Sequence, residues 1–292
     1  MNIEIKNILP EDYKLIIEFY SKHGGKSNDW YNKKLKNNII SGTIIGKVCI
    51  IKETKEIIAS YLCKIQRLLL NNSLKSVQSI DTLTAPLHRK GNITTKLAKE
   101  VYQYLKTESF DCIYGLPSRR ADKFFCRILK WEIFKPTYSY YVFIPVFILR
   151  FCYKLINFFF KNKKSFFFSK DKVNLLKNFF IINENCVENY EKEFYWVSYD
   201  NGFFSNIGLC RSGNNLNIFD KLYLLMMISS KSKKLFLRTY STEQSNTANI
   251  FSSFSFKKKA LDFSGFVFND SCKPSLKQSS FEFIEFDTFG LD

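Results

Sequence analysis

The residues with the clearest chemical use lie between positions 81 and 95. Asp81 sits near the end of an alternating stretch, and Pro86 then leads into His88-Arg89-Lys90-Gly91-Asn92-Ile93-Thr94-Thr95. A helix starting at Ile93 presents backbone N–H groups that have no partner within the helix, together with a partial positive charge. Arg89 and Lys90 add full charges, Gly91 lets a ligand come close to the backbone, and Thr94 brings a hydroxyl. Asn92 is one of the few residue types that enters the left-handed conformation a tight turn needs. This combination suits an anion, above all a pyrophosphate. The Asp81 carboxylate can take a proton from an amine, directly or through a water. It can equally cap a backbone group or pair with a lysine, and the sequence leaves both readings open.

Other reactive residues carry weaker signals. The chain has two histidines. His88 lies inside the anion loop and reads as an exposed loop residue. His23, beside Gly24-Gly25, either lines an acceptor pocket or is a plain loop histidine. Arg119-Arg120 follows Pro117 and could hold an anionic acceptor or a coenzyme phosphate, or be a solvated pair. Cys126 has no histidine nearby to activate it as a nucleophile. The eight cysteines include no C-x-x-C pair, which argues against a zinc ribbon, and two histidines rule out a His-rich zinc site, so no metal is expected. They lie in apolar runs, as reduced thiols do.

Elements able to position these residues follow from the apolar periodicity. Helices are expected over 11–22 and 28–38, a hairpin over 43–52 and 57–70, and a strand over 75–84. Ile93, Leu97, Val101 and Leu105 make one face of a helix over 93–107. A strand over 110–116, a helix over 119–131 and a strand over 137–144 complete this half.

Here the sequence resembles a known family. The run Asp81-Thr82-Leu83-Thr84-Ala85-Pro86-Leu87-His88-Arg89-Lys90-Gly91-Asn92-Ile93-Thr94-Thr95-Lys96-Leu97 is similar to the coenzyme-binding motif of the GNAT N-acyltransferases. Ile113 to Ser118 resembles that family's Gly-x-Pro-Asn strand end, and Phe125 to Trp131 its aromatic helix end. The departures are Asn92 and Lys130 where the family places glycine, Ser118 where it places asparagine, and Cys126 where many members carry an acidic tyrosine. The resemblance implies acyl-CoA held by Arg89, Lys90, Gly91, Asn92, Ile93, Thr94, Thr95 and Ser118, with the backbone of Leu83 and Ala85 on the pantetheine arm. It implies direct attack by an amine, with Asp81 as base and Cys126 as donor to the leaving thiolate. His23, Arg119 and Arg120 would contact the acceptor.

The second half repeats the order of elements. Strands over 194–209, a helix over 215–230, a strand over 234–239, a helix over 243–256 and strands over 262–269 and 281–287 are expected. An offset of 125 residues sets Lys96-Leu97 against Lys221-Leu222 and Trp131 against Phe256. The copy has Asn214-Asn215-Leu216-Asn217 in place of the cationic loop, so one coenzyme site is expected. The fold class is α/β (α+β), with two tandem GNAT-like domains, each a mixed, mostly antiparallel sheet flanked by helices. Residues 1–145 form the acyl-CoA domain, 146–185 a helical bridge, and 186–292 a degenerate domain shaping the acceptor site. This layout is similar to tandem N-acyltransferases of bacterial surface-sugar pathways. It implies an amine acceptor of the nucleotide-linked amino-sugar class and a place in surface polysaccharide biosynthesis.

Composition bounds the remaining choices. There are 44 Lys and Arg against 27 Asp and Glu, a net charge of +17, which favours an anionic partner although an AT-rich genome also raises lysine. The lysines are dispersed and no nucleic-acid-binding motif accompanies them, so nucleic acid is not expected. Met1 to Pro10 alternates polar and apolar residues, unlike a signal peptide, and the chain reads as cytoplasmic. The apolar run 141–168 is broken by Pro145, Arg150, Lys154 and Asn157, which disfavours a membrane span. A bridge helix with its Phe face buried is favoured over a helix lying on a membrane surface. The alternative to an enzyme is a non-catalytic or membrane-surface protein that keeps the fold and not the chemistry.

Overall fold

Runs rich in β-branched residues build the first sheet. β1 (Ile3–Asn7), β2 (Ile44–Ile51), β3 (Ile57–Ile65) and β4 (Ser76–Thr84) pair antiparallel in that order. The alternation near the N-terminus is therefore the period of a strand. These coordinates come from a computed structural model that describes residues 2–65, 74–118, 121–159, 187–191, 194–201, 203–211, 218–243 and 245–278. Contacts divide the chain into two compact units: Met1–Phe134 with Phe263–Gln278, and a second built on Lys135–Asp262.

In the first unit, α1 (Tyr13–His23) and α2 (Asn28–Ile40) cover one face of the sheet. Ile16, Tyr20, Leu35 and Ile39 are buried there against Val48 and Leu62. Ser27 caps α2, its Oγ accepting the Trp30 N–H at 3.2 Å. The other face carries α3 (Ile93–Thr107), whose predicted stripe Ile93, Leu97, Val101 and Leu105 is buried on Tyr61, Cys63 and Val77. α3 connects β4 to the parallel strand β5 (Cys112–Gly115). The far edge of β5 takes Ser264–Val267 of β11 (Ser255–Val267).

The helix expected over 119–131 takes another form. Lys123–Ile128 winds as a π-helix, with Leu129 N–H bonded to Phe124 O at 3.1 Å. Arg119 and Arg120 lie outside the described residues. Lys130 ends the turn in the left-handed region (φ 61°), and the Trp131 N–H reaches back to Phe125 O at 3.0 Å. Lys130 thus adopts the backbone that glycine supplies in the resembled motif.

The second unit repeats this plan. β7 (Val187–Glu191), β8 (Phe194–Asn201) and β9 (Phe204–Arg211) form an antiparallel meander. α5 (Ile218–Lys231) leads to β10 (Phe236–Ser241), which is parallel to β9. The parallel ladder is three residue pairs long in both units, Ser76–Gln78 on Cys112–Tyr114 and Phe204–Asn206 on Phe236–Arg238. β6 (Glu132–Val142) follows the first unit's π-helix in sequence but pairs with β10. α6 (Asn246–Phe251) precedes β11, whose last residues pair in the first unit. α7 (Lys273–Gln278) also belongs to the first unit. The strand expected over 281–287 and the loop Asn214–Asn217 lie outside the described residues.

α4 (Val146–Phe159) corrects one expectation. Val146 and Leu149 are buried on the second unit's core with Leu224, Leu225 and Leu237. Phe147 and Phe151 are not buried, at 61% and 62% exposure. Among the described residues no helix is long and apolar enough to cross a membrane.

Candidate functional site between parallel strands

The site begins where the β4–β5 ladder stops. Its last pair is Gln78 with Tyr114. The next residue on β5 is Gly115, and a Cβ placed there would stand 3.3 Å from the Ser79 carbonyl oxygen. That carbonyl therefore faces the Gly115 backbone. The chain after Gly115 leaves the sheet as Leu116-Pro117-Ser118, while β4 continues to Thr84, paired among the described residues with β3. A register shift opposite Leu62 and Cys63 leaves Ile80 as an extra residue, and such a bulge bends its strand. Beyond Gly115, β4 therefore runs on without β5 as its hydrogen-bonded neighbour. The backbone groups of Ser79–Thr84 on that side form an edge that an extended, amide-bearing ligand can pair with. Thr82 lies in this stretch, and its Oγ1 is buried with no hydrogen-bond partner among the described residues.

The matching place in the second unit is filled. Thr239 stands one residue after the last pair, as Gly115 does, and its hydroxyl donates to Ile207 O at 2.6 Å. Arg238 is 8% exposed, with ring centroids of Tyr240, Phe204 and Tyr141 at 5.0, 5.1 and 5.9 Å. In the first unit the equivalent residue, Gly115, has no side chain to make that bond.

After the end of β4, Pro86–Gly91 forms a 3-10 turn, and Asn92 takes the left-handed conformation (φ 53°, ψ 15°) that turns the chain into α3. Among the described residues no side chain caps the start of α3, and no acidic residue lies in its first turn. Thr84 Oγ1 and Thr94 Oγ1 are 2.7 Å apart and tie the strand end to the helix start. Arg89 is exposed, its Nε donating to Thr84 O at 3.2 Å, so the guanidinium is held at the strand end. Lys90 and Gly91 continue the turn. His23 ends α1, its ring 5.3 Å from that of Phe19. Partial burial and Lys22 hold its pKa below the usual 6.5, Glu56 opposes them, and Arg89 and His88 add to the depression. Arg89 and His88 are therefore close enough to His23 to act on its charge.

Asp81 lies on the α1–α2 side of the same strand. Lys34 of α2 donates to its Oδ2 at 2.8 Å, with the side chains 8% and 22% exposed. The Lys34 ammonium also stands 5.1 Å from the Trp30 ring centroid. Beside them, the Ser60 hydroxyl donates to Tyr20 Oη at 2.6 Å. Burial, then the Asp81 charge, pushes the Tyr20 phenol well above its ordinary range, so it stays protonated. Nothing in the sequence marked Lys34, which sits in a Lys33-Lys34 pair whose other member binds Asp29 at 2.9 Å.

The remaining sequence candidates divide. Cys126 is half-buried against the α3-side core, its Sγ donating to Asp122 Oδ1 at 3.2 Å. Ser118 accepts the Ala121 N–H on its Oγ at 3.3 Å. The Ala85 N–H is taken by Ile58 O at 2.9 Å, and the Ala85 carbonyl accepts the His88 N–H at 2.9 Å. Leu83 packs on the α1–α2 core, and Ile93 and Thr95 lie in the first turn of α3. Among the described residues no cluster of three His, Cys, Asp or Glu side chains is placed to hold a metal.

Solved structures share this architecture. One is a GCN5-related N-acetyltransferase from Kribbella flavida, 9% identical over 92% of this chain and 72% of that one, with a TM-score of 0.59. The fold is that of the GCN5-related N-acetyltransferases. A conserved protein of unknown function from Enterococcus faecalis, described as a probable N-acyltransferase, gives a TM-score of 0.62 at 10% identity, covering 91% of this chain and 73% of that one. A GCN5-related glucosamine N-acetyltransferase region of a fungal multi-domain GH3 β-N-acetylglucosaminidase gives 0.58 at 10% identity, covering 91% of this chain and 38% of that one. No protein-family model matches the sequence, and neither does any curated protein.

Proposed function

We propose that the protein is an acyl-CoA-dependent N-acyltransferase with one coenzyme site, in its first unit. The observation that carries this reading is the end of the β4–β5 ladder after three residue pairs, with the start of α3, which Asn92 does not cap through its side chain, following the end of β4. A pantetheine arm has two amides along an extended chain, which suits the backbone edge Ser79–Thr84. Its pyrophosphate suits the N–H groups of Ile93, Thr94 and Thr95 with Arg89 and Lys90. Acyl-CoA as a substrate supplies the thioester.

This chain's residues then have distinct work. The residues beyond the ladder's end hold the thioester away from bulk water. An amine arriving from the α1–α2 side meets Asp81, which accepts its proton directly or through a water. Lys34 fixes the carboxylate, and the protonated phenol of Tyr20 nearby offers a donor to a polar acceptor. Cys126 with Asp122 is the proposed source of the proton for the departing thiolate. Asn92 supplies the turn. The acceptor we favour is the amino group of an amino sugar, on a nucleotide carrier. Its support is the glucosamine N-acetyltransferase among the proteins of this fold.

The test is thiol release from acetyl-CoA with glucosamine and nucleotide-linked amino sugars as acceptors. Acceptor-dependent release that Asp81→Asn lowers by about 10²- to 10⁴-fold is expected. No release with any amine, together with no coenzyme binding, would overturn the proposal.

A further inference from the structure

The second unit carries a surface that acyl transfer does not use. α4 turns Phe147 and Phe151 outward, one helical turn apart, at 61% and 62% exposure. The neighbouring loops extend this apolar strip. The Val146 N–H donates to Leu235 O at 2.8 Å, and the Leu235 N–H to Phe203 O at 3.2 Å. Leu235 is 42% and Phe203 74% exposed. Scattered apolar residues on a surface need no explanation, but exposed phenylalanines on segments tied together by backbone hydrogen bonds do.

Cations stand beside it. The segment that fixes Leu235 begins Lys231-Ser232-Lys233-Lys234, with Lys231 and Lys233 exposed. The Arg150 guanidinium of α4 donates to the Ser232 carbonyl, holding the lysine loop along the helix. The result is an exposed aromatic strip with a lysine rim in a chain of net charge +17.

We infer that this face docks onto an anionic phospholipid surface. The aromatic strip would enter the boundary between headgroups and acyl chains, and the lysines would meet the headgroup charge. A second copy of the chain is the poorer occupant. An isologous contact sets the same patch against itself and would bring the two lysine rims together. The inference does not rest on the enzymatic reading, since it uses none of the residues of that site.

The experiment is flotation of the full chain with vesicles of phosphatidylcholine, and with vesicles that also contain phosphatidylglycerol. Binding to the anionic vesicles alone is expected. The double variant Phe147→Ser, Phe151→Ser should weaken it by on the order of 100-fold, about tenfold per side chain. Lys231→Gln with Lys233→Gln should weaken it by roughly 25-fold, about fivefold per charge near an anionic surface. All four side chains are exposed, so both variants should melt with the parent, and acetyl-CoA binding should be unchanged. Failure of the parent to float with anionic vesicles would overturn the inference. So would binding that the Phe variant leaves intact, or a dimer in solution that the Phe variant dissolves.

Discussion

Gly115→Thr gives the sharpest probe of the strand gap, because the second unit already contains its outcome. There, Thr239 occupies the equivalent position and bonds the facing carbonyl. A Cβ at Gly115 would lie 3.3 Å from Ser79 O and 3.4 Å from the Trp131 ring, tight but without collision. The variant should fold, losing about 1 kcal/mol as the Trp131 ring shifts by a few tenths of an ångström. Its hydroxyl should then take the Ser79 carbonyl. A ligand amide loses that acceptor, worth about 1 kcal/mol, and the added atoms displace the ligand chain at a cost of about 1–3 kcal/mol. The sum, about 2–4 kcal/mol, corresponds to roughly 30- to 1000-fold in Kd for acetyl-CoA. Gly115→Ala adds the Cβ alone and should cost less than about tenfold. Titration calorimetry with acetyl-CoA, paired with thermal melts, reads both. A Gly115→Thr protein that binds within about twofold of the parent would refute the assignment of the gap to the coenzyme.

Three further outcomes follow from the same structure. Asp81→Asn should lower kcat by about 10²- to 10⁴-fold while leaving acetyl-CoA affinity near the parent value, measured by thiol release and calorimetry. His23 should titrate below 6.5 in an NMR pH series, and Arg89→Glu should raise its midpoint by removing one of the cations that depress it. Because the folded-state pKa is the lower one, the unfolded chain binds the proton first. His23's contribution to stability is present above about pH 6.5 and is lost as pH falls through the folded-state value. Bound coenzyme phosphate should raise that value, so binding takes up protons and strengthens as pH falls through the same window. Gly265→Ala would set a Cβ 2.4 Å from Ile113 O, where β11 pairs with β5, and should destabilise the first unit by about 3 kcal/mol in denaturant melts.

Local signals in the sequence located much of the fold. The four-residue spacing of Ile93, Leu97, Val101 and Leu105 gave α3, because an amphipathic stripe depends only on its own segment. The cationic turn before it and the left-handed backbone at Asn92 were legible for the same reason. The meander, helix and parallel strand of the second half were readable as an order of elements, although β7 and β11 begin earlier, β10 begins later and α6 is shorter than expected. Pairing across long separations was not legible. Residues 263–278 fold with the first unit, and nothing near them in the sequence points to Cys112–Gly115. Lys34 and Asp81 meet only after α2 has packed on the sheet. Gly115 read as part of a strand-end motif, but its use as the side chain left out of a gap appears only beside Thr239. The apolar run at α4 showed that the helix would bury a face, not which of its two apolar faces would stay exposed.

The most direct measurement for the central claim is a calorimetric titration of the full chain with acetyl-CoA, repeated with Arg89→Glu. One coenzyme per chain is expected in the parent. Affinity should fall by about 10- to 100-fold or more when the guanidinium at the strand end becomes a carboxylate. No binding at millimolar coenzyme, two coenzymes per chain, or binding that Arg89→Glu leaves unchanged would contradict it.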